Sequence, residues 1–321
     1  MPKRRLLQFE PLGDRMRARL EPDFELCPLF AEGDRAGFLA REGASFEVAI
    51  TGGHIGVPAE VAAALPNLKV ISSFGVGYDG IDAAGMAARG VIVTHTPDVL
   101  NDEVADTAIL LWLAVTRRLI PADRWARSGA WAEKGMFPLT PTAERRRVGI
   151  LGLGRIGQTI AERAKAFNAT ILYHTRTPKD VDYEYRGSAV ALAQDSDVLF
   201  VITPGGAGTR KLVSAEVIDA LGPEGILVNI ARGSVVDEAA LVAALQAGRL
   251  GGAGLDVFEN EPVIPDALKT MENVVLAPHI GSASVETRQA MADLTCDNLT
   301  QWAKDGTVLT PVPECRHLAE R

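Results

Sequence analysis

VGILGLGRIGQTIAERAKAF, Val148 to Phe167, contains a short β-branched run, glycines at positions 152, 154 and 157, and then a segment with Ile156, Ile160, Ala164 and Phe167 recurring at helical spacing. Strand, glycine turn and amphipathic helix in that order begin a parallel βαβ unit. Each glycine has its own physical reason. Gly152 permits the tight turn, Gly154 leaves the backbone open to a pyrophosphate, and Gly157 lets the helix lie close on its strand. The helix N-terminus then turns its unsatisfied N–H groups toward an anion. Taken alone, the three glycines mark only a tight turn. With a strand before and a helix after, they predict a dinucleotide site, and Arg155 and Ile156 between them join the candidate contacts.

The next strand, ATILYHTRTPK from Ala169 to Lys179, ends at the distance where an acidic residue would meet the adenosine 2'-hydroxyl of NAD. No acid occurs before Asp180. Arg176 can instead pair with a 2'-phosphate, and the hydroxyls of Thr175 and Thr177 can donate to it. NADP(H) is therefore expected as the preferred cofactor, with NAD(H) possible; the plain alternative is that Arg176 and Lys179 are solvated surface charges.

Beyond this unit, β-branched runs and alanine-rich helical segments alternate almost throughout, which predicts parallel sheets with helical crossovers. One sheet is expected from Leu6 to Phe9, Phe46 to Ile50, Leu68 to Ser72 and Val91 to Thr94. A second is expected from Val148 to Leu151, Thr170 to Tyr173, Val198 to Ile202, Ile226 to Ile230, Gly254 to Val257 and Val274 to Leu276. The fold class that follows is α/β, with two Rossmann-like doubly wound domains and an active-site cleft between them. Asn101 to Arg118 reads as a buried connecting helix, with Asp102 and Glu103 in its first turn. Leu119 to Arg147 has no sustained period yet carries Trp125, Trp131 and Phe137, so this arm is expected to pack on a partner. Val285 to Lys304 reads as one amphipathic helix returning to the first domain.

In an open parallel sheet, ligands sit beyond the carboxyl ends of the strands. Four such ends carry polar chemistry: DVLFVITPGG delivers Thr203, ILVNIARGS delivers Arg232 behind Ile230 and Ala231, AGLDVFENEP delivers Asp256 and then Glu261, and NVVLAPHIGS delivers His279 with Gly281 two residues on. An arginine, a carboxylate and a histidine on successive strand ends can hold a keto acid and protonate it. Of the five histidines, His317 lies in the tail, His174 beside the expected adenosine, His54 in a first-domain loop and His95 at a first-domain strand end, which leaves His279 as general acid. Singly, Arg232 reads as a surface salt bridge, Glu261 as a turn residue and His279 as a cap. In LKVISSFGVGYDGID, Gly75 and Gly77 follow another strand; the amides of Val76 and Gly77 form either a small nest for a carboxylate or an ordinary glycine turn, and the sequence leaves both open.

Acidic residues outnumber basic ones, 41 to 33, for a net charge of -8, so no electrostatic footprint for nucleic acid or anionic lipid is present. No run reaches membrane-spanning length, and the basic start MPKRRLLQFE loses its apolar character at Glu10 and Pro11, against a secretory signal. Cys27, Cys296 and Cys315 are too few and too scattered for a disulfide framework or a zinc site, and no metal is expected. A reducing cytoplasm fits, and the sequons at Asn168 and Asn298 are then accidental.

GVGYDGID, NDEVADTA, GILGLGRIGQ, NIARGSVVDEAAL, AGLDVFENEP and PHIGSAS occur in order. On them the chain resembles the D-isomer-specific 2-hydroxyacid dehydrogenases, most closely the glyoxylate/hydroxypyruvate reductase branch, from the first strand to about Val312. The resemblance implies a substrate domain, residues 1–99 with 285–321, and a nucleotide domain, residues 100–284. It implies that Arg232, Glu261 and His279 are the catalytic set, Asp256 the holder of the nicotinamide carboxamide, Thr107 a cofactor contact, Val76 and Gly77 the carboxylate-binding amides with Arg232 and His279, and 119–147 a dimerisation arm. The chain departs from NAD-preferring members at His174 to Thr177, and the absence of a following regulatory domain argues against the longer phosphoglycerate dehydrogenases. A nucleotide-sensing corepressor and a formate or phosphite dehydrogenase are the rival readings.

Overall fold

The structure, a computed structural model, describes residues 3 to 319. The chain divides at Leu100/Asn101 and again at Ala283/Ser284, so its first and last segments make unit 1 and its middle makes unit 2.

Unit 1 is built on five parallel strands, β1 (Arg4–Gln8), β2 (Phe24–Pro28), β3 (Val48–Gly52), β4 (Val70–Phe74) and β5 (Ile92–Thr94), in the order β2-β1-β3-β4-β5. Leu6, Leu7, Val48, Ala49, Ile50, Val70 and Ile71 are buried, as both faces of a parallel sheet must be. Arg4 and Arg5 open β1, paired with Phe24 and Glu25, and their guanidinium groups lie over the rings of Trp302 and Phe46. The edge strand β2 was not expected: FELCP alternates poorly and ends in proline, and only its ladder to β1 makes it a strand.

The helix Val285–Asp305 returns to this sheet and places Ala292, Cys296 and Leu299 in the same core as Leu6 and Val70. Asn298 on that helix is buried, with its amide nitrogen donating to Leu294 and Thr310 and its oxygen accepting from the Leu309 and Thr310 amides. The sequon there is therefore a structural joint. All three cysteines are free and buried.

Unit 2 carries seven parallel strands, β6 (Arg147–Leu151), β7 (Thr170–His174), β8 (Glu184–Tyr185), β9 (Val198–Val201), β10 (Ile226–Asn229), β11 (Gly252–Leu255) and β12 (Val274–Leu276), in the order β12-β11-β10-β9-β6-β7-β8. The order reverses at the β6/β9 pair, and right-handed crossovers on either side of such a reversal place helices on opposite faces. Both sheets are thus the doubly wound α/β type expected, with the two-residue β8, like the edge strand β2, an element the sequence did not announce.

The helix Asn101–Thr116 packs across β10 and β11, where Gly254 admits it so closely that a Cβ there would lie 2.9 Å from that of Leu111. Fully buried Trp112 anchors it edge-on to Phe167 and Phe200. The arm corrects the expectation of an unpatterned segment. It opens with two short helices, Leu119–Arg127 and Ala130–Lys134, whose lengths are below what periodicity resolves. Trp125 is held inside the arm by the Gly135 carbonyl and the edge of Phe137.

Candidate active site

The glycine turn of unit 2 performs the separate tasks its residues suggest. Gly152 takes φ 105°, and a Cβ there would press on the Ile202 carbonyl. A Cβ at Gly157 would sit 2.2 Å from the Gly152 carbonyl oxygen, so only glycine lets the helix Arg155–Lys165 start this close to β6. At Gly154 a Cβ would meet nothing within 4 Å, and this N-cap offers no side-chain acceptor to the first-turn amides. The space beside Gly154 is open and no N-cap side chain competes for the first-turn N–H groups, the arrangement a pyrophosphate requires. Arg155 is exposed and Ile156 half-buried at this entrance. At the end of neighbouring β9, the Thr203 hydroxyl is buried and has no hydrogen-bond partner among the described residues. The residues present fit a dinucleotide.

Beyond β7 the turn that carries exposed Arg176 is tied at both ends. The Tyr185 hydroxyl donates to the Thr175 carbonyl at 3.3 Å, and the Tyr173 hydroxyl donates to the Lys179 carbonyl while accepting from its amide. Neither tyrosine stands out in the sequence: Tyr173 reads as a core residue of its strand, and Tyr185 falls in the two-residue β8, too short to leave a pattern. The Thr175 hydroxyl donates to the Thr177 carbonyl at 2.6 Å, leaving Arg176 and Thr177 as the outward-facing donors of the turn.

Strands β10, β11 and β12 bring the catalytic candidates together. His279 Nδ1 and Glu261 Oε2 are 2.7 Å apart, while the other Glu261 oxygen accepts the Phe258 amide. Burial pushes the Glu261 carboxyl up, but the hydrogen bonds from His279 and Phe258 and the positive charges of His279 and Arg232 outweigh it, and the carboxyl lies below its ordinary value. Glu261 is therefore an anion at neutral pH. The Arg232 side chain is tethered to the Ala231 carbonyl at 2.7 Å, and its turn is pinned by Asn229, which accepts from the Ala231 amide and donates to the Arg232 carbonyl.

His279 adopts φ 55°, a left-handed conformation that costs a non-glycine residue energy. Asp256 holds it there. Its backbone carbonyl accepts the His279 amide, and its carboxylate accepts the Ile280 and Gly281 amides at 2.7 and 2.8 Å. Burial pushes the Asp256 carboxyl above its ordinary value, opposed by those two amides. Thr107 completes the loop by donating to the Gly281 carbonyl at 3.3 Å. Asp256 and Thr107 thus stand immediately behind His279, while Ile230 and Ala231 are buried before Arg232.

In unit 1, half-buried Val76 and Gly77 follow β4 in a turn whose Gly75 takes φ 149°. A Cβ at Gly53 would lie 2.2 Å from the Gly77 carbonyl oxygen, so the loop after β3 is pressed against this turn. Among the described residues, no cluster of His, Cys, Asp or Glu is placed to hold a metal, and no helix is long and apolar enough to cross a membrane.

Residues 109–281 match the D-isomer specific 2-hydroxyacid dehydrogenase NAD binding domain. The chain is 47% identical over 308 residues to hydroxyphenylpyruvate reductase of Plectranthus scutellarioides, covering 96% of this chain and 98% of that protein. A 2-ketogluconate reductase of Gluconobacter oxydans is 43% identical over 96% of this chain and 98% of its own length. Among solved structures, an NADPH-dependent glyoxylate/hydroxypyruvate reductase of Sinorhizobium meliloti, in complex with NADP and malonate, superposes with a TM-score of 0.92 at 47% identity, covering 98% of each chain. With more than half of its length in the family's nucleotide domain and relatives matched nearly end to end, the chain belongs to the D-isomer specific 2-hydroxyacid dehydrogenases.

Proposed function

We propose that this chain reduces small 2-keto acids, glyoxylate and hydroxypyruvate among them, to D-2-hydroxy acids, with NADPH preferred and NADH accepted. The observation that carries the reading is the 2.7 Å contact of His279 with an ionised Glu261 that also feels the charge of Arg232. When bound, the nicotinamide supplies the hydride that adds to C2 of the keto acid. Arg232 and the amides of Val76 and Gly77 fix the carboxylate and carbonyl of the substrate. Because Nδ1 of His279 faces Glu261, Nε2 is the nitrogen left to give its proton to the alkoxide oxygen that forms as C2 is reduced. Glu261 orients the ring and stabilises its charged form, and Asp256 and Thr107 hold the loop while facing the nicotinamide. Gly152, Gly154, Arg155, Ile156 and Gly157 take the pyrophosphate, Arg176 and Thr177 the 2'-phosphate, and Thr203, Ile230, Ala231 and Gly281 line the remaining cofactor path.

In this reading unit 1 binds substrate and unit 2 binds cofactor. The protein acts in the cytoplasm as a homodimer and binds no nucleic acid. The arm supports the dimer: Trp131, Met136 and Leu139 are 67%, 81% and 94% exposed, more apolar surface than one helical hairpin ordinarily leaves wet. A monomeric mass in analytical ultracentrifugation at micromolar concentration rejects that assembly. The chemical assignment is tested by purified protein with NADPH or NADH against glyoxylate, hydroxypyruvate, hydroxyphenylpyruvate and 2-ketogluconate. Turnover of NADP or NAD by formate or phosphite, or cofactor binding with no turnover, overturns it in favour of one of the rival readings.

A further inference from the structure

The turn after β4 has the carbonyls of Gly75 and Val76 gripped by residues from outside the turn. A trans peptide sets its C=O and N–H on opposite sides, so whatever grips a carbonyl also aims the amide of the next residue. The Gly75 carbonyl accepts the Thr96 amide at 2.9 Å, which aims the Val76 N–H away from Thr96. The Val76 carbonyl lies 2.9 Å from His95 Nδ1. A carbonyl only accepts, so Nδ1 carries the hydrogen, and the Gly77 N–H is aimed away from the imidazole.

His95 is itself fixed. It follows β5, is 9% exposed, donates its backbone amide to the Thr310 carbonyl, and accepts the Thr310 hydroxyl at 2.6 Å. Its ring meets Tyr78 edge-on at 5.4 Å, and the Tyr78 hydroxyl donates to Glu314. A histidine that packing alone required could be any flat apolar ring. This one places a donor on a single carbonyl of the turn.

We infer that His95 is a positioning residue for substrate: through its Nδ1–H bond to the Val76 carbonyl it orients the Gly77 amide that receives the keto acid carboxylate. This rests on the reading that the Val76 and Gly77 amides bind that carboxylate. Two substitutions separate the donor from the ring. His95→Phe keeps an aromatic ring against Tyr78 and removes the donor; His95→Asn loses the ring and keeps an amide N–H near the Nδ1 position.

The expected result is a KM for glyoxylate raised about tenfold in His95→Phe and largely restored in His95→Asn, with kcat and NADPH affinity little changed in both, as befits loss of one oriented hydrogen bond to a charged group. A packing role alone gives the opposite order, with Phe tolerated and Asn impaired, and overturns the inference. Amide NMR of the full-length protein titrated with malonate distinguishes the two levels. If the Val76 and Gly77 signals of the wild type do not move, the carboxylate reading fails. If they move equally, and at the same malonate concentration, in wild type and His95→Phe, that reading stands and the role of His95 fails.

Discussion

Two glycine turns follow parallel strands in this molecule, one after β6 and one after β4, and they are stabilised differently. The turn Gly152 to Gly157 runs directly into an eleven-residue helix, so its N–H donors are the first turn of that helix and their direction is set within one continuous stretch. The turn Gly75 to Gly80 runs into no such helix; the next begins at Ala83. Its carbonyls are gripped by Thr96 and His95, and a neighbouring loop presses on it through Gly53 and Gly56. A holder of N–H donors made by a helix N-terminus is written locally. One made of separately held peptide planes needs residues far along the chain.

The His279 loop is of the second kind, since Asp256 grips it from 25 positions away. Replacing this imidazole gives the largest effect expected: His279→Ala should lower kcat for keto acid reduction by about a hundred- to ten-thousand-fold, the range for loss of a general acid. NADPH affinity, measured by fluorescence titration, should be retained. A parallel collapse of cofactor binding breaks the separation between the two kinds of holder.

The turn after β6 is sharpened by moving one methyl group. In Gly157→Ala the new Cβ collides with the Gly152 carbonyl oxygen, so the helix must shift from its strand; a loss of about 1 to 3 kcal/mol in stability is expected, together with weaker NADPH binding. In Gly154→Ala the new Cβ meets no protein atom, so the melting temperature should hold while NADPH affinity falls. Equal loss of stability in both variants refutes the division of tasks between these glycines.

At the far end of the same cofactor path, Arg176→Ala should weaken NADPH about tenfold or more, the scale of one charge-assisted contact. NADH should be almost unaffected, and equal losses with both cofactors sink the assignment. For the proton, Glu261→Gln keeps the shape beside His279 and removes the anion. The proton donor then loses its charge-assisted partner, so kcat for reduction should fall about tenfold or more while NADPH affinity holds. An unchanged kcat removes Glu261 from the proton step.

The smallest effect concerns how unit 1 is joined from two segments. Asp293 on the returning helix pairs with Arg15 and Arg19 of the helix Asp14–Leu20, and these hydrogen bonds lower its carboxyl from 3.8 to about 2. A carboxyl depressed in the folded state contributes stability above its unfolded value that is lost as pH falls from about 4 toward 2. Asp293→Asn should therefore cost up to about 1 kcal/mol at neutral pH, as partly exposed ion pairs do, and flatten the acid limb of chemical denaturation. An unchanged acid limb removes the pair from the joint.

By itself the sequence determined the features that depend on neighbours in the chain. These are the parallel α/β character of both units, most strands, the connecting helix, the glycine turn after β6, and the candidate residues at the ends of β9 to β12. Backbone conformation and period-two or helical burial act over a few residues, and they leave marks that a few residues can show. Only the tertiary structure decided the rest. FELCP becomes an edge strand because β1 is there to pair with it, and Tyr173 and Tyr185 brace the Arg176 turn because β7 and β8 lie side by side. His279 is held in a left-handed conformation by Asp256, and the Val76 carbonyl is held by His95. Hydrogen bonds between groups distant in sequence leave no period behind, and that is why the residues that aim the site were harder to read than the residues that occupy it.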